Sequence, residues 1–250
     1  MNRLALLLVS AAFLVAMTGC GSLIDPVPKN VYRVKTFKEG HPNHETAISG
    51  GVLSIETAKS LGLNAVEKYL GNRLSPDDAR FEVTAVDVQA LKELVEQQMR
   101  PDEKKQAETK LNEVPEGLFY LTIISPNNER YGLVLNAGTG DVLKISDDTQ
   151  AGTESAGIPG DKAISAYSEL ANQFLVEKGL SSSGLWADGG LFVEAREAAY
   201  YCIRSTEDDS LDYLIEVDIA ENQVTGFSKD IMAMLTWNAK VFAKAPSMQE

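Results

Sequence analysis

Residues 119–146 read FYLTIIS, then PNNER, then YGLVLNAGTGDVLKIS. Apolar residues alternate through two strand-length runs on either side of a tight polar turn. A second turn, from Asn136 to Gly140, leads into a third strand. A period of two sustained across segments separated by turn residues requires an antiparallel sheet with a buried face. A closely related pattern recurs at 200–228 as YYCIRSTEDDSLDYLIEVDIAENQVTGFS. Hairpins of one kind, written twice in one chain, constrain the fold more than any other feature.

A helical pattern precedes each set of hairpins. Ile55, Ala58, Leu61, Ala65, Val66, Tyr69 and Leu70 follow Ser54, an N-cap residue, and Gly71 stands just past the end. Gly62 inside this run costs about 1 kcal/mol relative to Ala and predicts a bend or break. RFEVTAV at 80–86 has strand character. Asp87 to Met99 reads as an amphipathic helix through Val88, Leu91, Leu94 and Val95. Pro101 ends or kinks it, and the charged run to Lys110 reads as a further helical turn or as loop. The second half restarts in the same order. Beginning near Asp161, Ala163, Ile164, Tyr167, Leu170, Ala171, Phe174 and Leu175 share one helix face, and Gly179 stops it. Strand-like runs follow at 190–195 and 198–205, then a hairpin from Tyr213 to Phe227. VYRVKTF at 31–37 has the alternation of a short edge strand.

The two halves superimpose at two offsets. Ala58, Tyr69 and Leu70 fall on Ala163, Phe174 and Leu175 at an offset of 105, and Tyr131, Asn136 and Val142 fall on Tyr213, Asp218 and Val224 at 82. The difference is about the length of the 87–111 helical segment. Two α-then-β units, the first with an inserted helix, account for both offsets. Asn136 and Asp218 each open a turn with a side chain able to accept backbone N–H groups. Gly140 and Asn222 occupy equivalent turn positions and are the residue types that best tolerate positive φ. Each unit is expected to bury one helix stripe against one sheet face and to leave the other face open.

Those residues carry a family resemblance. YGLVLNAGTGDVL at 131–143 and, more loosely, YLIEVDIAENQV at 213–224, each after an amphipathic helix, resemble the PepSY domain. The first copy departs by Asn136 for Asp, the second by Ala220-Glu221-Asn222 in place of x-Thr-Gly. The resemblance covers about 170 residues, with roughly a dozen specific positions per copy. It implies an α+β fold of two tandem helix-plus-antiparallel-sheet, cystatin-like units, and a module that inhibits or escorts extracytoplasmic hydrolases or senses conditions at the envelope.

The N-terminus reads as an address. Arg3 precedes an apolar run from Leu4 to Ala16, and Met17-Thr18-Gly19-Cys20 resembles the lipobox of bacterial lipoproteins, in which the Cys becomes an acylated N-terminus. The apolar run is shorter than the roughly 20 residues that a spanning helix needs. The expected organisation is a signal peptide at 1–19 and lipidated Cys20 with a flexible tether to 51. A first unit at 52–148 follows, then a linker at 149–160, a second unit at 161–229 and a tail at 230–250. The formal charge is −13; cleavage before Cys20 removes Arg3 and no acid, which makes it −14. That balance excludes nucleic acid and anionic headgroups as partners, so membrane attachment falls to the lipid. After Cys20 only Cys202 remains, which leaves stability to packing.

Candidate chemistry is sparse. His41 and His44 lie in HPNHE, where Pro42 breaks a helix and no Cys or third His completes a metal site. Cys202 sits among Tyr200, Tyr201 and Ile203, the setting of a buried structural thiol. Asp147, Asp148, Asp208, Asp209 and Asp212 lack the spacing of a calcium loop and read as solvated turns. No nucleophile–base pair, P-loop or dinucleotide fingerprint is present, and no catalytic residue, metal or cofactor is expected. Trp186 and Trp237 are the candidate binding residues, because tryptophan is enriched at hot spots; core packing is the competing reading. The tail IMAMLTWNAKVF is apolar enough to dock as a strand or helix. Binding is best sought where the two halves differ: the 87–111 segment, the acidic turn before Tyr213, and the tail.

The expected function is therefore a lipid-anchored, extracytoplasmic and non-enzymatic regulator of a secreted protease or peptidoglycan hydrolase, at the cell membrane or outer membrane. It would act by occlusion or escort through an exposed sheet face or edge. A structural or assembly lipoprotein of the envelope is the alternative, and an unrecognised envelope hydrolase the second.

Overall fold

The computed structural model describes residues 30–34, 51–149, 161–180, 185–194 and 198–242. Cys20, His41 and His44, the signal peptide, nearly all of the tether and the 150–160 part of the linker lie outside them. Helix α1 (Ile55–Ala65) starts where the Ser54 hydroxyl accepts the Thr57 N–H at 3.1 Å. Its last turn widens into a π-helical stretch, Val66–Leu70, and stops at Gly71, whose φ is 78°. The helix runs through Gly62 without a break. A methyl group there would lie 3.1 Å from Ile123 Cδ1 and 3.2 Å from Leu121 Cδ2. The glycine sets how closely helix and sheet approach, and burial outweighs its backbone cost.

Strand β2 (Arg80–Val86) leads into α2 (Val88–Gln98), which is capped by Asp87 Oδ1 accepting from the Ala90 N–H at 2.7 Å. The charged run beyond Pro101 is neither a trailing turn nor a loop. It forms a second full helix, α3 (Pro101–Leu111), with the proline at its first turn, where a missing N–H costs nothing. Three strands follow: β3 (Leu118–Ile124), β4 (Arg130–Asn136) and β5 (Val142–Asp147). The second half contains α4 (Asp161–Glu177), β6 (Leu185–Glu194), β7 (Ala198–Ser205), β8 (Leu211–Asp218) and β9 (Gln223–Lys229). Helix α5 (Ile231–Phe242) ends the described chain.

The nine described strands form one sheet in the order β1-β2-β3-β4-β5-β9-β8-β7-β6, with β1 (Asn30–Val34) parallel to β2 at one edge. Every other pairing is antiparallel. The fold is α+β. The two halves meet where β5 pairs with β9 over three residues, Lys144–Ser228, Ile145–Phe227 and Ser146–Gly226. On either side of that joint the sheet contains a four-stranded antiparallel meander preceded by a helix. The two additional helices, α2 and α3, lie between β2 and β3, where the offset between the halves changes.

Both faces of the sheet are covered. On one face Phe81, Leu121, Leu133, Ile145, Ile215 and Phe227 pack under α1 and α4, which contribute Ala58, Val66, Ala171 and Phe174. Tyr69 meets Phe227 edge-on at 5.0 Å between ring centroids, which brings the end of α1 onto a strand of the other half. On the opposite face Leu118, Val134, Leu143, Cys202 and Leu214 are buried under α2, α3 and α5. The expectation of an open second face is therefore corrected: the inserted helices and the apolar tail supply its cover. The turns follow the reading from sequence. Asn136 Oδ1 accepts the N–H groups of Gly138 and Thr139, Asp218 Oδ1 accepts that of Glu221, and Gly140 and Asn222 have φ of 81° and 51°. In each half a core tyrosine ties the sheet to the chain just past a helix. Tyr131 Oη accepts from Asn72 Nδ2 at 3.0 Å, and Tyr213 Oη donates to the Leu180 carbonyl at 2.9 Å.

Candidate functional site

A cleft of about 400 Å³ opens where the start of α3, the β7–β8 turn and α5 converge. Helix α3 supplies Arg100, just before it, with Asp102, Glu103 and Gln106. The turn region supplies Arg204, Asp209 and Leu211, and α5 supplies Met234, Trp237 and Asn238. These are the three segments in which the halves differ. Trp237, a candidate binding residue, lines the cleft in a half-buried position. Trp186 lies in β6, opposite Arg204 in register.

The walls are held by polar bonds between distant parts of the chain. Lys110 Nζ, near the end of α3, is 2.7 Å from Asp212 Oδ1 and 3.8 Å from Asp230 Oδ1, with little of Lys110 or Asp212 exposed. Gln106 Nε2 donates to the Asp208 carbonyl at 3.4 Å. Bonds from the Ser210 side chain and backbone hold the Asp208 carboxyl below its usual range and shape the acidic turn. Burial pushes the Asp230 carboxyl up, against the pull of Lys229 and Lys110. Asp208 and Asp212 are therefore structural, the one bonded to Ser210 and the other to Ser210 and the inserted helix.

Within the cleft each arginine is paired with a protein oxygen. Arg100 Nη2 donates to Glu103 Oε1 at 2.7 Å and lies 3.8 Å from Asp102, and Arg204 Nη1 donates to the Asp209 carbonyl at 2.8 Å. Two acceptors are not paired. Glu103 Oε2 and Asn238 Oδ1 are buried without a hydrogen-bond partner. Asn238 is 2% exposed, and its Nδ2 donates to the Met234 carbonyl at 3.0 Å and contacts Met99 Sδ at 2.9 Å. The carbonyl bond fixes which way the amide faces, so its oxygen is the atom left over. A buried acceptor without a donor costs about 1–3 kcal/mol.

A second polar group lies across the middle of the same sheet face. Tyr200 Oη donates to Glu216 Oε1 at 3.1 Å, and Lys240 Nζ lies over the Tyr200 ring at 5.1 Å. Burial pushes the Glu216 carboxyl up and the Lys144 ammonium down, and their mutual attraction opposes both shifts. Among the described residues, no three His, Cys, Asp or Glu side chains come together as a metal site. Cys202 is buried at 2% exposure in the core beside Leu214. Of the cleft residues, Trp237 stands out in the sequence, whereas Asn238, Glu103, Arg100 and Arg204 do not. Asn238 left one signal, an amide inside an otherwise apolar helix face.

No family model and no curated protein matches the chain. A solved structure, the Bacillus megaterium YpeB C-terminal domain, is similar over 73% of this chain and 66% of that one, at 13% identity and a TM-score of 0.44. Similarity at that level says nothing of partner or activity.

Proposed function

We propose that this protein is a lipid-anchored, non-catalytic binding and regulatory protein of the bacterial envelope, built from two tandem PepSY-like units. In this reading the cleft between α3, the β7–β8 turn and α5 recognises a secreted protease or cell-wall hydrolase, which the protein modulates or escorts. One observation carries it: the three segments that the halves do not share meet at a single cleft with two buried, unpartnered acceptors. Fold-specifying residues account for the shared parts, and a fold does not need unsatisfied acceptors, so their presence here supports recognition. The acyl group on Cys20 holds the protein at the membrane, and the tether to residue 51 sets its reach. No helix among the described residues is long and apolar enough to cross a membrane.

The test is capture of the native lipoprotein from membranes, beside a Glu103→Lys variant, with partners read by mass spectrometry. The expected result is enrichment of a secreted protease or wall hydrolase that the variant loses, and altered activity of that enzyme when purified protein is added. If no such hydrolase is enriched and purified protein changes the activity of none, the reading is wrong.

A further inference from the structure

Among the described residues, the cleft's buried side-chain atoms left without a hydrogen-bond partner are of one kind. Both partnerless atoms, Glu103 Oε2 and Asn238 Oδ1, are acceptors. Both arginines in the lining already donate to protein oxygens. The lining contains three carboxylates, Asp102, Glu103 and Asp209, against those two guanidinium groups. An anionic ligand would therefore meet cations already paired with protein oxygens and a lining whose acids outnumber them. A ligand rich in donors would meet the two atoms that need donors. The field of the whole chain has the same sign, at a formal charge of −13. Trp237 adds an aromatic wall, the surface that attracts guanidinium and ammonium groups most strongly.

We propose that the cleft takes the guanidinium or ammonium group of a basic side chain on a partner polypeptide, with Asn238 Oδ1 and Glu103 Oε2 as its acceptors. This rests on the reading of the cleft as a recognition site and names the chemistry that it recognises. Asn238 supplies a fixed neutral acceptor, and Glu103 supplies the charge. Arg100 holds the other Glu103 oxygen, which aligns the carboxylate at 2.7 Å before any ligand arrives. An arginine side chain, with its forked donors, fits two acceptors better than a single-point cation does. Binding of this kind weakens as salt is added.

The experiment uses detergent-solubilised full-length protein with Trp186→Phe, so that Trp237 is the remaining tryptophan. A capped Gly-Arg-Gly peptide, its citrulline counterpart, a Gly-Glu-Gly peptide and free arginine amide are titrated by tryptophan fluorescence and calorimetry. Saturable binding of the arginine peptide is expected, with the uncharged citrulline peptide about tenfold weaker or more. Glu103→Gln, in the first turn of α3, keeps the side chain's size and is expected to weaken the arginine peptide about tenfold. Asn238→Leu is expected to weaken it similarly while unfolding no earlier than wild type. Equal affinity for arginine and citrulline peptides, tighter binding of the glutamate peptide, or no saturable binding overturns the proposal. Free arginine amide binding as tightly as the peptide overturns the polypeptide source in favour of a small cation. If the arginine peptide fails while Glu103→Lys still loses the captured hydrolase, the ligand class falls and the recognition reading stands.

Discussion

The sheet is continuous only because β5 and β9 meet over three residue pairs, and Gly226 is where that joint is most sensitive. A methyl group on Gly226 would sit 2.3 Å from the Ile145 carbonyl oxygen, 2.9 Å from Ser146 Cα and 3.2 Å from the Ile145 carbonyl carbon. All three are backbone atoms of the neighbouring strand, so no side-chain rotation relieves the overlap. Carbon–oxygen contacts between strands normally lie at about 3.3–3.6 Å, so Gly226→Ala must push β9 from β5 by about 1 Å. That displacement strains a packed core, at about 1–3 kcal/mol, and weakens joint hydrogen bonds worth about 0.5–1.5 kcal/mol each. It also shifts Phe227 away from Tyr69 and Phe174, whose ring centroids lie at 5.0 Å and 6.1 Å. The expected loss is about 2–5 kcal/mol, a large part of the stability of an ordinary domain. Urea unfolding of Gly226→Ala should show it, with lost amide-exchange protection beginning at β5 and β9. Gly179→Ala is the control. Its added methyl meets nothing within 4 Å, and a φ of 67° leaves only a conformational cost of about 1 kcal/mol. If Gly226→Ala unfolds within about 0.5 kcal/mol of wild type, the close joint between the halves is refuted.

Lys110→Met should cost about 1–3 kcal/mol in urea unfolding, because it leaves Asp212 and Asp230 partly buried without their shared cation; an unchanged midpoint would mean that the network is solvated. Asn136→Ala and Asp218→Ala remove equivalent turn residues at unequal cost. Asn136 is 4% exposed and also donates to the Glu113 carbonyl, so about 2–4 kcal/mol should be lost, against less than about 1 kcal/mol for Asp218, and equal losses would contradict this. Burial pushes the Glu216, Asp230 and Glu113 carboxyls up. A raised carboxyl holds its proton more tightly folded than unfolded, so its contribution is complete below the usual carboxylate range near pH 4. That contribution is lost as pH rises through the raised value. Unfolding midpoints measured across that window should fall more steeply for wild type than for Glu216→Gln; parallel profiles would remove Glu216 from the explanation.

The parts of the fold legible in the sequence were the local ones. Period-two alternation marked β3, β4 and β8, and the 3.6-residue stripe marked α1 and α4. Asn136, Asp218, Gly140 and Asn222 announced their turns because side-chain acceptors and positive φ are properties of single residues. The role of Gly62 was not legible because propensity is also a single-residue property, whereas its close approach to Leu121 and Ile123 is tertiary. The π-helical turn at Val66–Leu70 left no signal of its own. Pairing of β5 with β9 was equally invisible, since it joins residues about 80 apart and depends on Gly226 having no side chain. The acceptors of the cleft were hidden for a related reason. Glu103 reads as an ordinary first-turn acid and Asn238 as a lone amide, and only their burial at one place distinguishes them.

The cleft follows from the way the second sheet face is closed. A four-stranded meander with one helix buries one face and leaves the other exposed, and the two halves side by side double that exposed area. The α2–α3 pair covers it from the first half, and α5 covers it from the second. Covering elements of different origin meet along a seam instead of packing as one repeated motif. Lys110, Asp212 and Asp230 close the seam at one end with an ion network, and Asn238 and Met99 close its floor. What stays open between them is the space lined by Arg100, Glu103, Arg204 and Trp237. Only Arg204, Asp209 and Leu211 of the lining belong to a hairpin; the other lining residues are on or next to helices and specify no turn and pair no strand. A recognition site placed there can change partner while the shared hairpins keep the fold.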